Sequence, residues 1–152
     1  MGKPNWFDER EALVWQKYRT LMRELQGVQD RQLARASGLS GAEYALLVPL
    51  SETPDGVLRA RDLGADVGWD RSRVSHQVRR MERRGLVARE PCEDDARGSM
   101  VRLTKTGRAA IVAAAPRHVD TVRKYFFSPL SRDEMETLGG FFDRMLHALT
   151  QE

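Results

Sequence analysis

The stretch that decides the fold runs from Leu58 to Leu86 and reads LRARDLGADVGWDRSRVSHQVRRMERRGL. A short helix fits Arg61 to Val67, and Val67-Gly68-Trp69 makes a tight turn. Asp70 is a good N-cap for a longer helix over Arg71 to Arg84, which Gly85 terminates. Short helix, turn and longer polar helix is the layout of a helix-turn-helix. At about 100° per residue, Val74, Val78 and Met81 share one narrow arc of the longer helix, which must face a core. Ser72, Ser75, His76, Arg79 and Arg83 lie opposite, on a face with donors and acceptors but no large aliphatic side chain.

Charge is concentrated on the same helix. The 152-residue chain carries a formal net charge of +3. From Asp70 to Glu90, seven arginines stand against Asp70, Glu82 and Glu90, an excess of four positive charges. Residues 1–69 hold nine basic and ten acidic side chains, and residues 91–152 nine of each. An excess confined to 21 residues is the footprint of a phosphate-binding surface, although a solvated arginine-rich face would count the same.

A major groove about 12 Å wide admits a helix, and its base edges are read by hydrogen-bonding side chains. The N-terminal residues of such a helix reach deepest. Ser72, Arg73, Ser75 and His76 are therefore expected near bases, and Arg79, Arg80 and Arg83 near phosphates, Arg79 being suited to either. The bland alternatives are an ordinary exposed histidine at His76, and surface pairing of Arg80 or Arg84 with Glu82 or Glu90.

Outward from this centre the chain is mostly helical. Val14, Tyr18, Leu21, Leu25 and Val28 recur at spacings of four and three, which predicts a helix over about residues 8–36 ending at Gly38. Ser40 with Glu43 is a capping-box pattern opening a second helix through Leu50, and Ser51 to Gly56 is a loop. After the arginine-rich helix, Leu86 to Arg89 and Met100 to Leu103 read as two short strands around a polar tip. Thr104 can cap a fifth helix carrying Ile111, Ala115, Val119, Val122 and Phe126, which Pro116 should kink. Ser131 and Glu134 form another capping box, followed by a heptad-like stripe of Met135, Leu138, Phe142, Met145 and Leu149.

The hairpin carries the most diagnostic pattern. Asp95-Ala96-Arg97 at its tip is followed by Val101-Arg102-Leu103-Thr104-Lys105-Thr106-Gly107. With Asp70 to Ser75 and Met81 to Val87, this resembles the MarR family (multiple antibiotic resistance regulators), whose wing carries Asp-x-Arg and then a strand ending in Leu-Thr-x-x-Gly. The resemblance extends over nearly the whole chain. It implies a mainly α fold with a small β-hairpin wing, a winged helix-turn-helix flanked by long dimerisation helices. In that division a single domain over 1–152 contains a DNA-binding module at 39–103, with dimerisation helices at 1–38 and 104–152.

The resemblance further implies that Arg97 enters a minor groove, steadied by Asp95. A narrow minor groove has enhanced negative potential that suits an inserted guanidinium, while a surface ion pair at a loop tip is the alternative. It implies a homodimer joined through the first, fifth and sixth helices; the apolar stripes permit this independently, and equally permit a monomeric bundle. A two-fold dimer would read two half-sites about 34–36 Å apart on a pseudo-palindromic operator. Family members often release DNA in response to small aromatic or lipophilic molecules, metals or oxidants. Trp15, Tyr18, Arg19, Trp69 and His118 form a candidate effector pocket, with plain hydrophobic packing as its alternative.

Other classes are disfavoured. The sequence contains no Gly-rich phosphate loop, metal motif or nucleophile elbow, so neither enzyme nor cofactor is expected. His76, His118 and His147 are not at helical ligand spacing, so no metal is expected. Cys92 is the only cysteine, as suits a reducing compartment, and a lone cysteine usually packs. No stretch approaches about 20 apolar residues and Met1 to Glu11 has no apolar core, so no membrane and a cytoplasmic location are expected. The expected function is a signal-responsive repressor binding specific double-stranded DNA. A winged helix used only for protein contacts is the rival.

Overall fold

In the computed structural model, which describes residues 6–93 and 98–151, the decisive turn is built as its glycine requires. Gly68 adopts φ 71°, a left-handed conformation that costs glycine little, and its N–H donates back to the Ala65 and Gly64 carbonyls. Trp69 N–H donates to the Gly64 carbonyl at 3.0 Å, and the Asp70 carboxylate accepts from Arg73 N–H at 2.8 Å. Thus the helix α3 (Ala60–Val67) closes and α4 (Arg71–Arg83) opens within three residues.

The remaining elements are α1 (Glu9–Ser37), α2 (Gly41–Glu52), β1 (Val57–Arg59), β2 (Val87–Pro91), β3 (Ser99–Leu103), α5 (Lys105–Val122) and α6 (Arg132–Leu149). Both capping boxes form: Ser40 with Glu43 starts α2, and Ser131 with Glu134 starts α6. The strands make an antiparallel sheet in the order β1-β3-β2, with Val101 of β3 paired to both Leu58 and Arg89. Three strands replace the two read from sequence. Val57-Leu58-Arg59 is too short to show a period of two, and its partner lies more than forty residues away.

Pro116 lies inside α5, which extends to Val122. An irregularity follows directly, where Arg123–Phe127 form a π-helical turn. That wider turn takes an extra residue and breaks the spacing of four drawn from Val122 to Phe126.

The chain divides into two compact units, one of residues 1–29 and 119–152 and one of residues 30–118. The second unit owns the core. Leu46, Leu47, Leu50, Leu63, Met81 and Val101 are fully buried there, with Val74 and Val78 almost so. At about 1.5–3 kcal/mol for each buried side chain of this size, the core is sufficient to fix α4 in the unit. Among the described residues of the first unit, no side chain is buried.

The segment Leu103-Thr104-x-x-Gly107 joins hairpin to α5. The Thr104 hydroxyl accepts from Gly107 N–H at 3.0 Å and lies 2.6 Å from the Gly85 carbonyl oxygen. A Cβ on Gly107 would stand 2.0 Å from the Leu86 carbonyl oxygen, so only glycine lets the helix rest on that strand entry.

Candidate nucleic-acid interface

Packing determines which face of α4 meets solvent. Val74, Gln77, Val78 and Met81 are buried, and Ser72, Arg73, His76, Arg79, Arg80 and Arg83 are exposed, with Ser75 half-buried. The apolar arc points inward as the spacing predicts. Ser72, Ser75, His76 and Arg79 line one shallow depression of about 430 Å³, joined by Arg71.

A larger groove of about 610 Å³ lies between α3–α4 and the hairpin strands. Arg59, Arg61, Arg71 and Arg89 reach it, above a floor that includes Val74 and Val78. Arg59 and Arg61 escaped the sequence reading because they belong to a stretch whose charges nearly cancel. Their closeness to the start of α3 was the available signal.

The arginines of the basic stretch differ in role. Arg84 pairs with both oxygens of Glu43, a side chain only 6 % exposed, and donates to the Gly38 carbonyl at 3.3 Å. Arg89 donates through Nε to Glu82 at 3.2 Å, while its backbone N–H donates to the same carboxylate at 3.1 Å. Arg80 donates to Gln77 Oε1 at 2.7 Å. The alternative pairings of Arg80 or Arg84 with Glu82 or Glu90 are therefore corrected: Glu82 holds the hairpin's Arg89, and Glu90 is taken by Arg102. That hydrogen bond holds the Glu90 carboxyl below its ordinary range and raises the Arg102 guanidinium. Arg73 has another kind of partner, its guanidinium carbon lying 3.9 Å from the centroid of the Trp69 ring.

Strands β2 and β3 carry the hairpin outward beside α4. Asp95 and Arg97, assigned to the wing tip, lie outside the described residues. Cys92 is buried, in keeping with a packing thiol.

The aromatic set named for an effector falls in both units. In the first, Trp15 stacks on Tyr18 with centroids 5.2 Å apart, one residue before Arg19. In the second, Trp69 adjoins α4, and His118 packs against Tyr44 at 4.3 Å. Burial lowers the His118 pKa and raises that of Tyr44. His118 Nδ1 is buried and has no hydrogen-bond partner among the described residues. No group of three or more His, Cys, Asp or Glu among those residues is placed to hold a metal ion, and none of their helices is long and apolar enough to cross a membrane.

A helix-turn-helix with an antiparallel hairpin beside its second helix defines a winged-helix DNA-binding protein. Comparison with known proteins agrees. Residues 37–98 match the model of the MarR family. The chain is 31 % identical over 110 residues to the transcriptional regulator HosA of Escherichia coli O111:H-, covering 72 % of this chain and 79 % of HosA. Sco3205, a MarR family transcriptional regulator from Streptomyces coelicolor solved in complex with DNA, is 38 % identical. It superposes with a TM-score of 0.89 over 96 % of this chain and 92 % of its own. AbsC, another MarR family regulator from Streptomyces coelicolor, is 31 % identical with a TM-score of 0.89, covering 98 % of this chain and 100 % of its own. The chain belongs to the MarR family of transcriptional regulators.

Proposed function

We propose that the protein is a signal-responsive repressor that binds specific double-stranded DNA as a homodimer. The observation that carries this reading is the exposed face of α4, where Ser72, Ser75, His76 and Arg79 share a depression bordered by arginines. In this reading Ser72, Arg73, Ser75 and His76 meet base edges while Arg79, Arg80 and Arg83 meet phosphates. The DNA complex of Sco3205 supports the mode of binding. Dimerisation is supported by the first unit, which has no buried side chain among its described residues to hold it together. A second copy would cover its apolar helices and place two α4 helices on a pseudo-palindromic operator, where they would obstruct transcription. Response to a small molecule belongs to this reading, and within the second unit the buried His118 nitrogen, which has no hydrogen-bond partner among the described residues, is the group best suited to a polar ligand atom.

A gel-shift titration on DNA upstream of the chain's own gene, repeated over a range of salt, tests the reading. Affinity should fall steeply with salt, since each phosphate contact releases counterions. A flat response, or no shift on any genomic fragment, would favour the protein-contact module instead. Arg97→Ala tests the wing: operator affinity should fall while the elution volume of the dimer stays the same. Unchanged affinity would remove Arg97 from the minor groove.

A further inference from the structure

We infer that Trp69 is a positioning residue for DNA recognition, an aromatic platform that sets the guanidinium of Arg73 before the duplex arrives. The inference rests on the reading of α4 as the DNA-contacting helix, and it adds a residue whose side chain need not touch a base.

The local chain explains the juxtaposition. Trp69 directly precedes the N-cap Asp70, and Arg73 is the residue whose N–H that cap accepts. The Gly68 turn and the Trp69 N–H bond to the Gly64 carbonyl fix the tryptophan backbone, and the indole packs against the buried core cluster. Gly64 keeps the approach open, since a Cβ there would stand 3.1 Å from both the Trp69 carbonyl oxygen and Val74 Cγ2. One side chain is thus anchored by turn and core, and the exposed cation four residues later comes to its ring at 3.9 Å.

The chemistry of the partner decides what the contact can do. Arg84 and Arg89 are held by carboxylates, which neutralise charge and accept N–H groups. A ring quadrupole attracts the cation without neutralising it, and accepts N–H groups far more weakly than a carboxylate does. Arg73 therefore keeps its positive charge and its donors while losing part of the rotamer freedom that an exposed arginine must otherwise surrender on binding. Ordering before binding favours affinity where a fixed geometry is required, at a base edge, and matters little for a phosphate that accepts from many directions. The platform should thus act on specific binding and leave general DNA affinity alone.

The test compares full-length wild type, Trp69→Leu and Trp69→Phe on an operator fragment and on an unrelated duplex at one salt concentration. Trp69→Leu should lose about fivefold on the operator, the size of one cation–π contact, with affinity for the unrelated duplex unchanged. Trp69→Phe, which keeps a ring face, should recover most of the loss. In an Arg73→Ala background, Trp69→Leu should cause no further loss, because the platform has nothing left to hold. Equal losses on both duplexes, an undiminished effect in that background, or tighter operator binding would each overturn the inference. Wild type that failed to prefer operator over unrelated DNA would instead overturn the DNA-reading assignment beneath it. A second measurement covers misfolding of Trp69→Leu. With Trp6 and Trp15 changed to phenylalanine, Trp69 is the only indole, and Arg73→Ala should shift its emission in the free protein. An identical spectrum with and without Arg73 would show that the contact does not form.

Discussion

At the scale of single residues, titration separates groups that share the second unit. His118 is half-buried against Tyr44, and desolvation holds its pKa below the ordinary value of about 6.5. Between the lowered pKa and about 6.5 the unfolded chain binds more protons than the folded one, so stability rises with pH there. The contribution is fully present above about 6.5 and is lost as the solution is acidified. Glu90 also has a lowered pKa, through its hydrogen bond from Arg102, but its window lies near the carboxylate range and both partners face solvent, which screens the pair. Thermal unfolding from about pH 7.5 to pH 5 should show Tm falling less in His118→Gln than in wild type. Parallel Tm profiles would mean that the imidazole is already solvated.

At the scale of elements, the connection between the wing and α5 is a single close contact. The 2.0 Å that a Gly107 Cβ would leave to the Leu86 carbonyl oxygen, with Leu103 Cδ1 at 2.8 Å, cannot be relieved by rotating a side chain, because the nearer atom is backbone. Gly107→Ala should push α5 off the hairpin and destabilise by about 3 kcal/mol, at the upper end of overpacking costs. Urea unfolding measures it, and a change below about 0.5 kcal/mol, the level of an indifferent surface substitution, would refute the contact. The same region shows what is legible in a sequence. The caps at Ser40, Asp70, Thr104 and Ser131 were readable because donor and acceptor lie three residues apart. The apolar arc of Val74, Val78 and Met81 was readable from helical period alone. Strand β1 and the Arg84–Glu43 pair were not, since each depends on a partner more than forty residues distant that only the folded chain supplies. The π-helical turn at Arg123–Phe127 was hidden for a different reason, as an α-helical spacing was extended through it. The Trp69–Arg73 contact lies within a local spacing of four, but the spacing alone does not separate a platform tryptophan from one that lines a pocket.

At the scale of the whole molecule, the two units differ in how they could be stable. Among the described residues, 30–118 hold every fully buried large side chain, whereas on α6 Met145, Leu146 and Leu149 are 63 %, 60 % and 71 % exposed. A stripe of Phe142, Met145 and Leu149 at helical spacing has nothing polar to recommend it to water, and a stable interface between two copies needs about 1,000 Å² or more. A charge placed in that stripe should then be costly only if a partner covers it. Met145→Asp is expected to shift the protein from dimer to monomer in sedimentation at micromolar concentration, because an unpaired carboxylate would have to be desolvated. Operator affinity should fall by about 100-fold or more, since two linked reading helices gain effective concentration that one cannot. Binding to a single half-site should change far less, because α4 and its core belong to the other unit. A variant that remains a dimer with full operator affinity would move the interface away from α6, and a wild type that sediments as a monomer would remove the dimer altogether.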